Sequence, residues 1–114
     1  MKQIGLSADE IEMMRSVFRR TPEIVDVVLY GSRAKGTFQA QSDVDLALIG
    51  VDDDLRAEAV ADALDRLPLP YHFDVKAFGR IRHAPLREHI QRVGVSLYRR
   101  GVTPEEGSDL PERP

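Results

Sequence analysis

The chain has no cysteine and no tryptophan. Absence of thiols excludes disulfides, thiolate zinc sites and cysteine nucleophiles. It also suits a reducing compartment, so a cytoplasmic protein is expected. Aromatic residues make up only 6% of the chain, which leaves Val, Leu, Ile and Ala to form the core. No stretch approaches the roughly 20 apolar residues of a membrane span. The opening segment, MKQIGLSADEIEMM, has no apolar run ahead of its charges and does not read as a signal peptide. Net positive charge is also lacking: the formal value is −3, so direct nucleic-acid binding is not expected.

What remains is 114 residues with 42% hydrophobic content, enough for one small folded domain. That domain is expected over residues 1–103, followed by an acidic, disordered tail at 104–114 with Glu105, Glu106, Asp109 and Glu112. From Arg80 to Arg100 there are six arginines and one acid, Glu88. This stretch reads either as a solvated helix face or as a surface for an acidic partner or phosphate.

Local patterns define the elements. Ser7-Ala8-Asp9-Glu10 is a capping box, with Leu6 and Ile11 at hydrophobic-staple positions. Ile11, Met14 and Phe18 follow at helical spacing, predicting a helix from Ala8 to Arg20 that Thr21-Pro22 ends. Val25–Tyr30 is a β-branched run typical of a buried strand. Gly31–Gly36 is a glycine-bounded connector with room for a helical turn. Val44–Ile49 is a second strand. A helix over Leu55–Leu67, capped by one of Asp52, Asp53 or Asp54, leads to a third strand at Tyr71–Phe78. A last helix starts at Pro85 and ends near Gly94, read as its C-terminal cap, before a short strand at Val95–Tyr98. The middle helix is long enough for a crossover, which makes strands two and three parallel neighbours. The fold class is therefore α+β, a small mixed sheet with helices packed mainly on one face.

Three acids stand out on these strands. Side chains two apart on a strand share a face, so Asp43 and Asp45 point together. Phe73 and Val75 should face the core, which turns Asp74 outward. With strands two and three adjacent, the three carboxylates converge. Clustered carboxylates repel unless a cation lies among them, and hard oxygen ligands select magnesium or calcium. Two magnesium ions about 4 Å apart suit phosphoryl or nucleotidyl transfer. Taken alone, an Asp-x-Asp pair at a strand mouth is more often solvated surface. Gly31-Ser32, directly after the first strand, suits phosphate binding: glycine permits close backbone approach, and serine and successive N–H groups can bond phosphate oxygens. Arg33 and Lys35 add positive charge beside it. Gly31 and Gly36 have Walker spacing, but Thr37 stands where that motif needs lysine. His72 and Lys76 share the face of Asp74. His83 and His89 read as surface residues, and Tyr30 and Tyr98 as packing residues.

Gly31-Ser32, ten further residues and Asp43-Val44-Asp45, with Phe73-Asp74-Val75 later, resemble the nucleotidyltransferase superfamily that includes DNA polymerase β. The chain resembles its smallest branch, the minimal nucleotidyltransferases, from Val25 to Tyr98, and IQRVGVSLYRRG resembles that branch's C-terminal stretch. The resemblance implies that Gly31 and Ser32 hold the triphosphate of ATP. It implies that Asp43, Asp45 and Asp74 bind magnesium, with Asp74 also helping to activate an acceptor hydroxyl. Arg33 and Lys35 would be secondary phosphate contacts. Members this short are commonly antitoxins that transfer AMP to a tyrosine of a HEPN-domain ribonuclease toxin, so a HEPN toxin is the partner the resemblance implies. Two alternatives stand beside it. One is an adenylyltransferase for a small molecule such as an aminoglycoside, whose relatives usually carry an added helical domain that this chain has no room for. The other is a non-catalytic module that neutralises a toxin by contact.

Overall fold

A computed structural model describes residues 4–101. The expected tail at 104–114 lies outside the described residues. The elements are α1 (Ala8–Phe18), β1 (Asp26–Tyr30), α2 (Gly31–Lys35), β2 (Val44–Ile49), α3 (Asp54–Asp65), β3 (Phe73–Ala77), a 3₁₀ turn (Phe78–Arg80), α4 (Ala84–Val93) and β4 (Val95–Arg99).

Local chemistry accounts for most of the boundaries. The Ser7 side chain accepts from the Glu10 N–H while the Glu10 carboxylate accepts from the Ser7 N–H, completing the capping box of α1. Helix α1 stops two residues short of the sequence expectation. Arg20 and Thr21 donate to Val17 and Phe18, so the last turn tightens into three-residue spacing ahead of Pro22. Asp53 caps α3 by accepting from the Leu55 N–H at 2.9 Å. Gly94 caps α4 as expected, its N–H donating to the Ile90 carbonyl. Its backbone is extended (φ −63°, ψ 146°). A Cβ there would lie 2.2 Å from Val28 Cγ1 and 2.3 Å from the Ile90 carbonyl oxygen, so the chain passes too close to β1 for any side chain.

The strands form one sheet in the order β3-β2-β1-β4. β2 and β3 run parallel, joined by the α3 crossover, as expected from the length of that connection. β1 pairs antiparallel with β2 on one side and with β4 on the other, with an irregularity between Val27 and Val28 against β4. β4 is thus the partner of β1, its most distant strand in sequence.

Alternation sorts the side chains between two faces. On one face Val27, Leu29, Val44, Leu46, Leu48, Phe73 and Ala77 join Met14, Val17 and Phe18 of α1 and Ala57, Val60 and Leu64 of α3 in the main core. Burial of each large apolar side chain there contributes about 1.5–3 kcal/mol. Leu6 and Ile11, the staple residues, pack partly buried against it. On the opposite face a smaller cluster of Val28, Tyr30, Ala47 and Ile90 is closed by α4, with Ile49, Phe78, Ile81 and Leu86 around it. The expectation of helices mainly on one face holds for α1 and α3; α4 crosses to the other face and covers part of it. Among the described residues no helix is long and apolar enough to cross a membrane.

Candidate active site

The site grows out of one row of the sheet. Asp45 pairs in register with Tyr30 of β1 and with Asp74 of β3. Neighbouring strands lie about 4.8 Å apart, so the two carboxylates project side by side from the face that α4 only partly covers. The apolar neighbours enforce this direction: Val44, Leu46, Phe73 and Val75 belong to the main core, which leaves Asp45 and Asp74 to the other side. Asp43 sits one residue before β2 and is exposed, two positions from Asp45.

The acids sense one another. Burial pushes the Asp45 carboxyl above its ordinary value, and the charges of Asp74 and then Asp43 push it further, against a smaller opposing pull from Lys76 and His72. Burial, followed by Asp74 and Asp45, likewise pushes the Tyr30 hydroxyl well up, so it remains protonated. Lys76 Nζ donates to both oxygens of Asp74, at 3.0 and 3.3 Å.

Gly31 ties the loop to the acids. It follows β1 with φ +77°, a left-handed conformation that side chains disfavour. A Cβ at this position would lie 2.4 Å from Asp45 Oδ2, so any side chain here would push that carboxylate aside. Ser32 follows, half-buried, in the first turn of α2, which has no side-chain cap. Its leading N–H groups are therefore available to an anionic group.

The two cations near this loop part company. Lys35 is exposed at the end of α2, and its charge, after burial, holds the His89 imidazole below its ordinary value. Arg33, expected as a phosphate contact, is turned the other way and is 1% exposed. Its guanidinium donates to the carbonyls of Ile4, Gly5, Ala40 and Ser42, and lies 5.0 Å from the Phe38 ring centre and 4.9 Å from that of Tyr71. Those contacts pin the 36–43 loop to the segment before α1, and they leave the guanidinium committed away from the acids.

Two neighbours escaped the sequence reading. His89 of α4 stands edge-on to Tyr30, the residue paired with Asp45, ring centres 6.4 Å apart. Tyr30, read only as packing, ends the row of acids. Nothing local in the sequence signals either contact, because both depend on which face α4 covers. His72 is exposed just ahead of β3, and His83 is exposed at the start of α4.

The donor set fits magnesium in chemistry and charge: hard oxygens, mutually repelling, on an open face. It is not a finished cage. Among the described residues no three His, Cys, Asp or Glu side chains are gathered tightly enough to hold an ion. Magnesium commonly takes one or two carboxylates and completes its shell with water and substrate phosphates, so an incomplete cage is consistent with it.

A carboxylate pair on a mixed sheet, abutted by a glycine-serine turn, defines a phosphoryl- or nucleotidyl-transfer type of site. The family described as "Polymerase beta, Nucleotidyltransferase" matches residues 12–102, and the chain belongs to it. A Haemophilus influenzae protein named as a probable protein adenylyltransferase, MntA, is 26% identical over 110 residues, spanning 95% of this chain and 96% of that protein. Solved structures are also similar in fold, two of them toxin–antitoxin complexes. A toxin–antitoxin structure with AMP-PNP superposes with a TM-score of 0.67 at 20% identity, covering 86% of this chain and 77% of the other. A tri-AMPylated Shewanella oneidensis HEPN toxin in complex with its MNT antitoxin gives a TM-score of 0.60 at 17% identity, covering 86% and 74%.

Proposed function

We propose that this protein is an antitoxin that transfers AMP from ATP to a tyrosine hydroxyl of a HEPN-domain ribonuclease toxin in the cytoplasm. The observation that carries the catalytic part is the opposition of Asp45 and Asp74 across β2 and β3 with Gly31 packed on Asp45. The acceptor is supported by the names of the similar proteins: a protein adenylyltransferase and a HEPN toxin bearing AMP beside its antitoxin.

In this reading Gly31 and Ser32 bind the triphosphate through backbone N–H groups and the serine hydroxyl. Asp43, Asp45 and Asp74 would hold magnesium, which when bound would supply neutralisation of the phosphate charge. Asp74 draws the acceptor hydroxyl toward its attack on the α-phosphorus and takes up its proton. The tyrosine oxygen–phosphorus bond forms as the bond to pyrophosphate breaks. Lys35, exposed at the rim, contacts the outer phosphates. Arg33 acts from beneath by fixing the loop that carries the site.

Labelled ATP and magnesium, incubated with this protein and the helical product of a neighbouring gene, test the proposal. The expected result is a gain of one or more AMP groups on the toxin, mapped to tyrosine, and loss of its ribonuclease activity. Combined Asp43→Asn and Asp45→Asn replacement should abolish both. An unmodified toxin in the presence of intact protein would eliminate the AMPylation reading. Full neutralisation by the doubly substituted protein would leave contact as the mechanism.

A further inference from the structure

We infer that Lys76 is a positioning residue that stands in for the metal ion: its ammonium holds the Asp74 carboxylate while no cation is bound, and gives way when one arrives. The inference rests on the metal-site reading of Asp43, Asp45 and Asp74 and concerns a residue that reading does not include.

Three observations carry it. Lys76 Nζ contacts both oxygens of Asp74, so an ammonium already engages each oxygen that a cation would use. The lysine comes from the same strand two residues on, and the alternation of β3 makes the shared face obligatory. Core packing of Phe73 and Val75 prevents the strand from rotating the pair apart.

The pair is also built to separate. Its side chains are 40% and 42% exposed, and an ion pair that open is weak enough for a divalent ion to displace. The lysine has somewhere to go. Lys76 lines a groove of about 520 Å³ along the free edge of β3, between Asp54 and Glu58 of α3 and the segment Arg80–His83. Without Lys76, the carboxylates would meet on the sheet with no neighbouring cation on β3, which would disfavour the folded state until metal bound. With it, the protein trades some metal affinity for a settled empty site.

The test uses the full chain and the metal alone. Mn²⁺ is titrated into wild type, Lys76→Met and Lys76→Arg without nucleotide, with free ion followed by electron paramagnetic resonance. Thermal unfolding is recorded with and without Mg²⁺. Lys76→Met, which keeps the apolar stem, should bind Mn²⁺ about three- to tenfold more tightly. It should unfold at a lower temperature than wild type without metal and gain more from Mg²⁺. Lys76→Arg should stay within about twofold of wild-type affinity, since the charge is retained. Unchanged or weaker Mn²⁺ binding by a folded Lys76→Met overturns the inference while leaving the metal site standing. Failure of both wild type and Lys76→Met to bind Mn²⁺ overturns the metal-site reading and this inference together.

Discussion

The two faces of the sheet are built from the same strands to different standards. Along β2, Val44, Leu46 and Leu48 are fully buried under α1 and α3, whereas Asp45, Ala47 and Ile49 face the side that α4 half covers. The first face is continuous hydrocarbon. The second keeps apolar packing only beneath α4 and gives the rest of its area to Asp45, Asp74 and Lys76. Charges that repel are tolerable there because water still reaches them and because the other face carries the stability. A protein of this size has little stability in reserve, so function is confined to the half of one face that the core can spare.

Adjacent residues on β2 give the strongest way to break this comparison. Asp45→Asn should lower AMP transfer by at least about a thousandfold, because it removes one of the carboxylates proposed to hold magnesium, at the centre of the row. Its thermal midpoint without metal should hold or rise, because the carboxylate it replaces is penalised by burial and by Asp74 and Asp43. Leu46→Ala, one residue on, should do the reverse. A loss of about 2–5 kcal/mol is expected in denaturant unfolding, with specific activity of the folded fraction largely retained. If the two substitutions had the same signature, the division of labour between the faces would be wrong.

Gly31→Ala should cross the divide. A methyl group on Asp45 Oδ2, in a left-handed conformation, costs about 1–3 kcal/mol and displaces the carboxylate. Both the unfolding midpoint and the transfer rate should fall, as read by denaturant titration and labelled-ATP turnover.

The smallest effect is expected far from the site, at the entrance to α1. Ser7→Ala should cost about 1 kcal/mol in chemical unfolding, by removing the cap. Glu10 adds a pH dependence. The Ser7 backbone N–H, opposed by some burial and helped by Tyr71, lowers its carboxyl below the ordinary 4.5. A lowered folded-state value means that its contribution is present above about 4.5 and is lost as pH falls through that lowered value. Thermal unfolding of wild type and Glu10→Gln should therefore differ at pH 7 and converge in acid, with transfer activity at neutral pH unaffected.

How much was legible depends on the range of each interaction. The capping box, the Asp53 cap, the strand at Val44–Ile49 and the acid spacing were readable because each is settled within a few residues by hydrogen bonding or alternation. Errors arose where a distant element intervened. Arg33 looked like a phosphate contact beside Gly31-Ser32, but carbonyls on both sides of it in sequence and two aromatic rings recruited it to the interior. Gly94 does end α4 as its cap, but its close approach to β1 was not readable, because it depends on how α4 packs on the sheet. His89 looked like surface and was brought against Tyr30 by α4.

The sequence by itself determined the elements, the spacing of Asp43 and Asp45 at the mouth of a strand, and a resemblance that implies magnesium and ATP. Those follow from periodicity and short-range spacing, which survive without knowledge of the fold. Only the tertiary structure decided that Asp74 stands opposite Asp45, that Gly31 lies on the same carboxylate, that β4 closes beside β1, and that Lys76 is already bonded to one of the acids. Each of these joins elements whose register is set by packing the main core, and a shift of one residue would have sent the acids to the opposite face.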